Sequence, residues 1–222
     1  MLLSRLHANN MRQRHIRNRE EILKDCGEYL VQDPRSLRRQ WRSAFGKEGP
    51  LKLEIGSGKG RFITQMALAH PDENFIACEG QYNVYPRILQ KAKALELSNM
   101  LLLGEYIADP SDFFADGEID GIYLNFSDPW KKRTANRRLT YRTKLEGYKR
   151  ICSPGAVLEF KTDNDDLFEF SLEELSAVGL TPSTVEYDLH ASEFAEDNVL
   201  TEYEEKFTVI GSKIKFLRVY LR

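Results

Sequence analysis

The stretch from Leu51 to Ile63 reads Leu-Lys-Leu-Glu-Ile-Gly-Ser-Gly-Lys-Gly-Arg-Phe-Ile, and it limits the fold more than any other part of the chain. Leu51, Leu53 and Ile55 alternate as a short strand does. Gly56, Gly58 and Gly60 interrupt that alternation, and Phe62, Ile63, Met66 and Ala67 resume at helical spacing. Strand, glycine turn and helix open a doubly wound α/β sheet, in which ligands bind beyond the carboxyl ends of the strands. Glycines at alternate positions let the backbone approach a ligand that a Cβ would hold away.

The acids nearby narrow the choice of ligand. A dinucleotide fingerprint places its third glycine five residues after the first, where this chain has Arg61. Glu54 stands two residues before the turn, where its charge would repel a pyrophosphate and suit an ammonium group, such as that of the methionine moiety of S-adenosylmethionine. Glu79 follows a second apolar run, Asn74 to Cys78, and lies 23 residues after Gly56. A carboxylate about 20 residues on is the expected acceptor for ribose hydroxyls in such folds.

Further runs extend the pattern. Ile88, Leu89, Ala92 and Leu95 mark a second helix, Met100 to Leu103 a third strand, and Ile119 to Asn125 a fourth. A helix is predicted over 142–152, stopped by Ser153-Pro154-Gly155, then a strand from Ala156 to Lys161 and a helix from Leu167 to Val178 closed by Gly179. Thr184 to Leu189 and Ile214 to Leu221 read as a closing strand pair. Alternating strands and helices predict a mostly parallel sheet covered on both faces. Ahead of it, Met1 to Asn10 reads as a loose tail and Arg12 to Arg19 as a basic arm. A helix marked by Ile16, Ile22, Leu23 and Tyr29-Leu30 follows and ends at Asp33-Pro34. The expected division is an N-terminal arm and helix over 1–48 and a main domain over 49–222.

Charge is unevenly spread. Residues 1–19 hold five arginines and no acid, and residues 131–150 hold nine Lys or Arg against Glu146 alone. From Asp163 to Glu205 there are fourteen acids and no Lys or Arg, so a net charge of −2 hides two basic zones and an acidic one. No apolar run approaches the length of a membrane span, so no membrane partner is expected. Cys26, Cys78 and Cys152 lack Cys-x-x-Cys spacing, which predicts a reducing cytoplasm and no metal site. Monomer and homodimer are both compatible with the sequence.

A second constellation follows the fourth strand. Asn125-Phe126-Ser127-Asp128-Pro129-Trp130 sits at a carboxyl end, with Pro129 fixing Asp128 and Trp130 offering a flat face for a base. Lys131, Lys132, Arg133, Arg137 and Arg138 come next, a composition that suits a phosphate backbone. Lys161-Thr162-Asp163-Asn164 ends the fifth strand and brings Asp163 to the same crevice. Thr201-Glu202-Tyr203-Glu204 is polar and aromatic, and a capping box explains Thr201 with Glu204 equally well.

These motifs together resemble the bacterial tRNA (guanine-N7-)-methyltransferase family. The residues that carry the likeness are Glu54 with Gly56-Ser57-Gly58-Lys59-Gly60, Tyr123 to Trp130, Arg137 to Tyr141, Phe160 to Asn164 and Thr201 to Glu204. The resemblance runs from about Met11 to the end. It implies a Rossmann-like methyltransferase fold, S-adenosylmethionine as cofactor and tRNA as partner, with methylation of a variable-loop guanine. It further implies Glu54, Glu79 and Asp128 at the cofactor, Asp128 also at the reaction centre, and Lys132, Asp163, Thr201, Glu202, Tyr203 and Glu204 at the substrate. The chain departs from the family twice. Tyr106-Ile107 stands where the family has Asp-Ala, with Glu105 one residue before, and Lys131 and Lys132 compete for one role because one residue is missing after Trp130. An amino-methyltransferase acting on a base, a non-catalytic RNA-binding module and a nicotinamide enzyme are the competing readings.

Overall fold

A computed structural model describes residues 18–208 and 211–222. The tail, most of the basic arm, Ile16 and the choice between Met1 and Met11 as start lie outside the described residues.

Among the described residues, seven strands form one sheet. They are β1 (Leu51–Ile55), β2 (Asn74–Cys78), β3 (Met100–Leu103), β4 (Ile119–Asn125), β5 (Cys152–Thr162), β6 (Thr184–Glu186) and β7 (Lys215–Tyr220). Their order is β3-β2-β1-β4-β5-β7-β6. The first five pair in parallel, and β7 runs antiparallel between β5 and β6. The helices are α1 (Arg19–Asp25), α2 (Trp41–Ala44), α3 (Arg61–Ala69), α4 (Pro86–Ala94), α5 (Arg142–Ile151), α6 (Asp165–Ala177) and α7 (Glu202–Thr208).

Strand alternation sorts side chains onto two faces. In β2, Ile76 and Cys78 join a core containing α5, α6 and Trp41, whereas Phe75 and Ala77 join one containing α1, α3 and α4. A third cluster, of Leu189, Ile214 and Phe216 with Phe126 and Phe194, lies beneath the segment after β6. From β1 the chain moves outward through β2 to β3, and from β4 it moves the other way to β5. The sheet therefore reverses between β1 and β4, where an open α/β sheet forms a crevice.

Three boundaries differ from expectation. The N-terminal helix ends at Asp25, not at Asp33-Pro34, because a 3-10 turn over Gly27–Tyr29 hands the chain to a bridge between Leu30 and Leu102. Ser153-Pro154-Gly155 does not separate α5 from β5: β5 starts at Cys152 opposite Ile119, and a register shift absorbs the following residues before Val157 meets Gly121. Ser153 Oγ donates to Asp120 Oδ1 at 2.7 Å and pins that irregularity. The strand predicted over Thr184–Leu189 is β6 alone, ending at Glu186. Residues ahead of the main domain are part of its packing: Ile22 and Cys26 are buried, and Trp41 has no exposure.

Candidate active site

The glycine turn joins β1 to α3 with positive φ at Gly56, Gly58 and Gly60. Gly56 and Ser57 donate their N–H groups to Cys78 O at 2.8 and 2.9 Å, which ties the turn to the end of β2. Nothing stands within 4 Å of where a Cβ would project from Gly56 or Gly58, so backbone borders open space there.

Two carboxylates flank this turn. Glu79 accepts the Gly58 N–H at 2.9 Å through Oε2 and the Gln81 N–H at 2.8 Å through Oε1. Burial raises its pKa against those two bonds, and the charge of Asp128 adds to the rise. Glu54 is buried, and its Oε1 accepts from Asn125 Nδ2 at 2.8 Å while Oε2 has no partner. Burial pushes the Glu54 carboxyl up to about 7. A buried carboxylate oxygen without a donor beside an open glycine turn fits a ligand carrying an ammonium group.

At the end of β3 the two candidates part. Glu105 turns its carboxylate to Arg35, with Nη1 at 2.7 and 2.9 Å from its oxygens. Tyr106 lays its ring against Gly80, so closely that a Cβ there would lie 2.4 Å from the ring. The residue as a whole is exposed, and partial burial of its hydroxyl, then the charges of Glu79 and Asp128, raise its pKa. Tyr106, not Glu105, therefore lies on the side of Glu79 and Asp128.

Asp128 follows β4 and is exposed; its carbonyl accepts from Trp130 N at 2.9 Å. Trp130 is partly exposed, with the Arg137 guanidinium 5.0 Å from its ring centroid. Lys131, Lys132 and Arg137 are exposed. Arg138 is not: it is buried, donates from Nε to Trp130 O at 2.8 Å, and lies over the Phe170 ring at 4.3 Å. Its place is under the loop, holding Trp130.

α7 closes the other side. Glu202 accepts the Arg61 N–H at 3.3 Å and pairs with Lys91, while Glu205 pairs with Arg61, so α7 rests on the start of α3. Thr201 and Glu204 form the capping box, with Glu204 N donating to Thr201 Oγ1 at 2.9 Å. Tyr203 is exposed and donates to Asp163 Oδ2 at 3.3 Å. Glu204 has no exposure and accepts from Lys161 Nζ at 3.0 Å, from Asn198 Nδ2 at 2.6 Å, and pairs with His190 at 2.8 Å. Burial lowers the Lys161 pKa against the pull of Glu204. Lys161 and Asn125 were not among the sequence-predicted site residues. The available signal for Lys161 was a lysine inside the apolar run of β5, which demands a buried acid; the signal for Asn125 was its place two residues beyond Tyr123, the partner of Glu54 in the sheet.

Glu54 and Glu79 thus flank the glycine turn, the charge of Asp128 is felt by both Glu79 and Tyr106, and Lys131, Lys132 and Arg137 are exposed on the stretch that follows Asp128. Two solved structures share the fold. One is titled "Structure of an Antibiotic Related Methyltransferase" (TM-score 0.61, 20% identity, 87% of this chain and 96% of that one). The other is the 16S rRNA methyltransferase KamB (TM-score 0.61, 16% identity, 82% and 92%). The fold is the Rossmann-like one of class I methyltransferases. A family model described as "Putative methyltransferase" matches residues 48–217. The chain is 46% identical over 203 residues to the tRNA (guanine-N(7)-)-methyltransferase of Latilactobacillus sakei, covering 91% of this chain and 95% of that protein, and 50% identical over 192 residues to that of Geobacillus kaustophilus, covering 84% and 86%. It belongs to the tRNA (guanine-N7-)-methyltransferase family.

Proposed function

We propose that this chain transfers a methyl group from S-adenosylmethionine to N7 of a guanine in the variable loop of tRNA. The observation that supports the reading is Asp128, whose charge is felt by Glu79 beside the glycine turn and which precedes the exposed cations Lys131, Lys132 and Arg137. Every group the reading uses comes from one chain.

The geometry supports the following roles. Glu54 Oε2 receives the cofactor's ammonium, and Glu79, fixed by Gly58 and Gln81, accepts from ribose hydroxyls. Tyr106 offers its ring to the adenine side. S-adenosylmethionine, when bound, supplies an electrophilic methyl group on a sulfonium sulfur. Guanine N7 carries a free lone pair and no proton, so no general base is required. Orientation of N7 toward that methyl group would then supply much of the acceleration. The product base is cationic, and the carboxylate of Asp128 stabilises that charge as it develops. N7 engaged in tertiary pairing has to be freed, so the base is loosened or turned outward. Trp130 supplies a face for it, and Lys131, Lys132 and Arg137 hold the phosphates.

Incubation with methyl-labelled S-adenosylmethionine and unmodified tRNA, followed by nucleoside analysis, tests this reading. Label in 7-methylguanosine is the expected result; label in a methylated adenine or cytosine, or none, contradicts it.

A further inference from the structure

Phe126 is where the chain leaves the sheet after β4. Its φ is +51°, in the left-handed region, which a residue with a bulky side chain occupies only where its surroundings hold it. Three contacts do so. Its N–H donates to Lys161 O at 2.8 Å, continuing the pairing of β4 with β5 by one bond. Its side chain packs against the cluster of Leu189, Ile214 and Phe216. Its ring lies 5.0 Å from that of Tyr203, at 36°.

The consequences fall on both neighbours. An extended residue at 126 would carry Ser127 and Asp128 onward along β5. The left-handed turn takes them off the sheet instead, to the side where the Asp128 charge is felt by Glu79. On the other side, Tyr203 is bonded to Asp163, and the adjacent Glu202 sits on the first N–H of α3. One ring therefore couples the loop bearing Asp128 to the helix that packs against the glycine turn.

We infer that Phe126 is a positioning residue: its left-handed backbone aims Asp128 into the crevice, and its ring, packed on Tyr203, keeps α7 in register with Asp128. The inference rests on the methyl-transfer reading above. It assigns Phe126 no contact with cofactor or guanine; it acts through Asp128 and Tyr203. A residue that merely filled the core would lower stability, and would not separate the transfer step from cofactor binding.

The test is a double-mutant cycle on the full chain. Phe126→Leu keeps an apolar side chain and removes the ring, Phe126→Tyr keeps the ring, and Tyr203→Leu removes the partner. Two quantities are read: affinity for S-adenosylhomocysteine by calorimetry, and single-turnover transfer to unmodified tRNA at saturating cofactor. For Phe126→Leu the expected result is an affinity within about twofold of the parent and transfer slowed at least about tenfold, since small misplacement of reacting groups costs up to about 10² in rate. Phe126→Tyr is expected to restore transfer to within about threefold of the parent, and the double variant to be no slower than the worse single one. Parent-like transfer by Phe126→Leu overturns the inference. So does cofactor affinity falling in step with transfer, or losses that multiply in the double variant. If Phe126→Leu does not fold, Phe126→Tyr and Tyr203→Leu still decide: a slow Phe126→Tyr or a parent-like Tyr203→Leu overturns it. A parent that forms no 7-methylguanosine contradicts the methyl-transfer reading itself and takes this inference with it; an active parent with unaffected variants overturns only the role of Phe126.

Discussion

Asn125 Nδ2 donates to Glu54 Oε1 at 2.8 Å, and the other oxygen of that buried carboxyl is left without a donor. Neighbouring strands thus hold one acid in place with half of its capacity unspent, at the position where the glycine turn begins.

This arrangement makes cofactor binding dependent on pH. With its carboxyl pushed up to about 7, Glu54 holds a proton in the free protein below that pH. An ammonium ligand favours the carboxylate, so binding below about pH 7 expels the proton. The logarithm of the association constant is expected to rise with pH, with a slope approaching one below 7 and flattening above it. The same shift makes the free protein less stable as pH rises from about 4.5 to 7, because the unfolded chain releases this proton first. Calorimetry at pH 6 in buffers of different ionisation heat measures the proton release; heats independent of buffer contradict the assignment.

Glu79 serves as an acceptor already fixed by two backbone donors. Glu79→Ala is expected to weaken S-adenosylmethionine binding by about tenfold to a hundredfold, since a buried hydrogen bond to a charged group contributes about 1.5–3 kcal/mol. An unchanged dissociation constant removes Glu79 from the site.

The two neighbouring arginines of the basic stretch are expected to behave differently. Arg137→Ala keeps the melting temperature and flattens the salt dependence of tRNA binding by roughly one unit of slope. Arg138→Ala lowers the melting temperature, because its guanidinium is buried against Phe170 and holds Trp130 O. Equal melting temperatures for the two variants contradict this division.

Lys161 and Glu204 form a buried pair in which neither charge can turn to water. Lys161→Met is expected to cost about 3–5 kcal/mol by urea unfolding, and adding Glu204→Gln to recover part of it. A single-variant loss below about 1 kcal/mol means that other groups carry the Glu204 charge.

The part of the site that was legible in the sequence is the part set by local rules. The glycine turn, the spacing to Glu79 and the Asp128-Pro129 turn each depend on a few adjacent residues, and the mostly parallel sheet follows from strands alternating with helices. Arg138 read as one cation among several because its burial depends on Phe170, thirty-two residues away in sequence. The Lys161–Glu204 pair spans forty-three residues and a loop with no periodicity. The start of β5 was hidden because Ser153-Pro154-Gly155 has the composition of a break, and only pairing with β4 and the bond to Asp120 keep it in the sheet.

The account turns on the charge of Asp128, and Asp128→Asn tests it most directly. Asn keeps the size of the side chain, so the loop around Pro129 and Trp130 is expected to hold its shape and the variant to melt near the parent temperature. Loss of one preorganised electrostatic partner typically slows turnover by about 10²–10³. The measurement is single-turnover formation of 7-methylguanosine in tRNA at saturating S-adenosylmethionine, which prevents weaker cofactor binding from imitating a slower step. Transfer at least about tenfold slower than the parent, with tRNA still bound, is the predicted result; transfer at the parent rate by the folded variant contradicts the account and leaves Asp128 a turn residue.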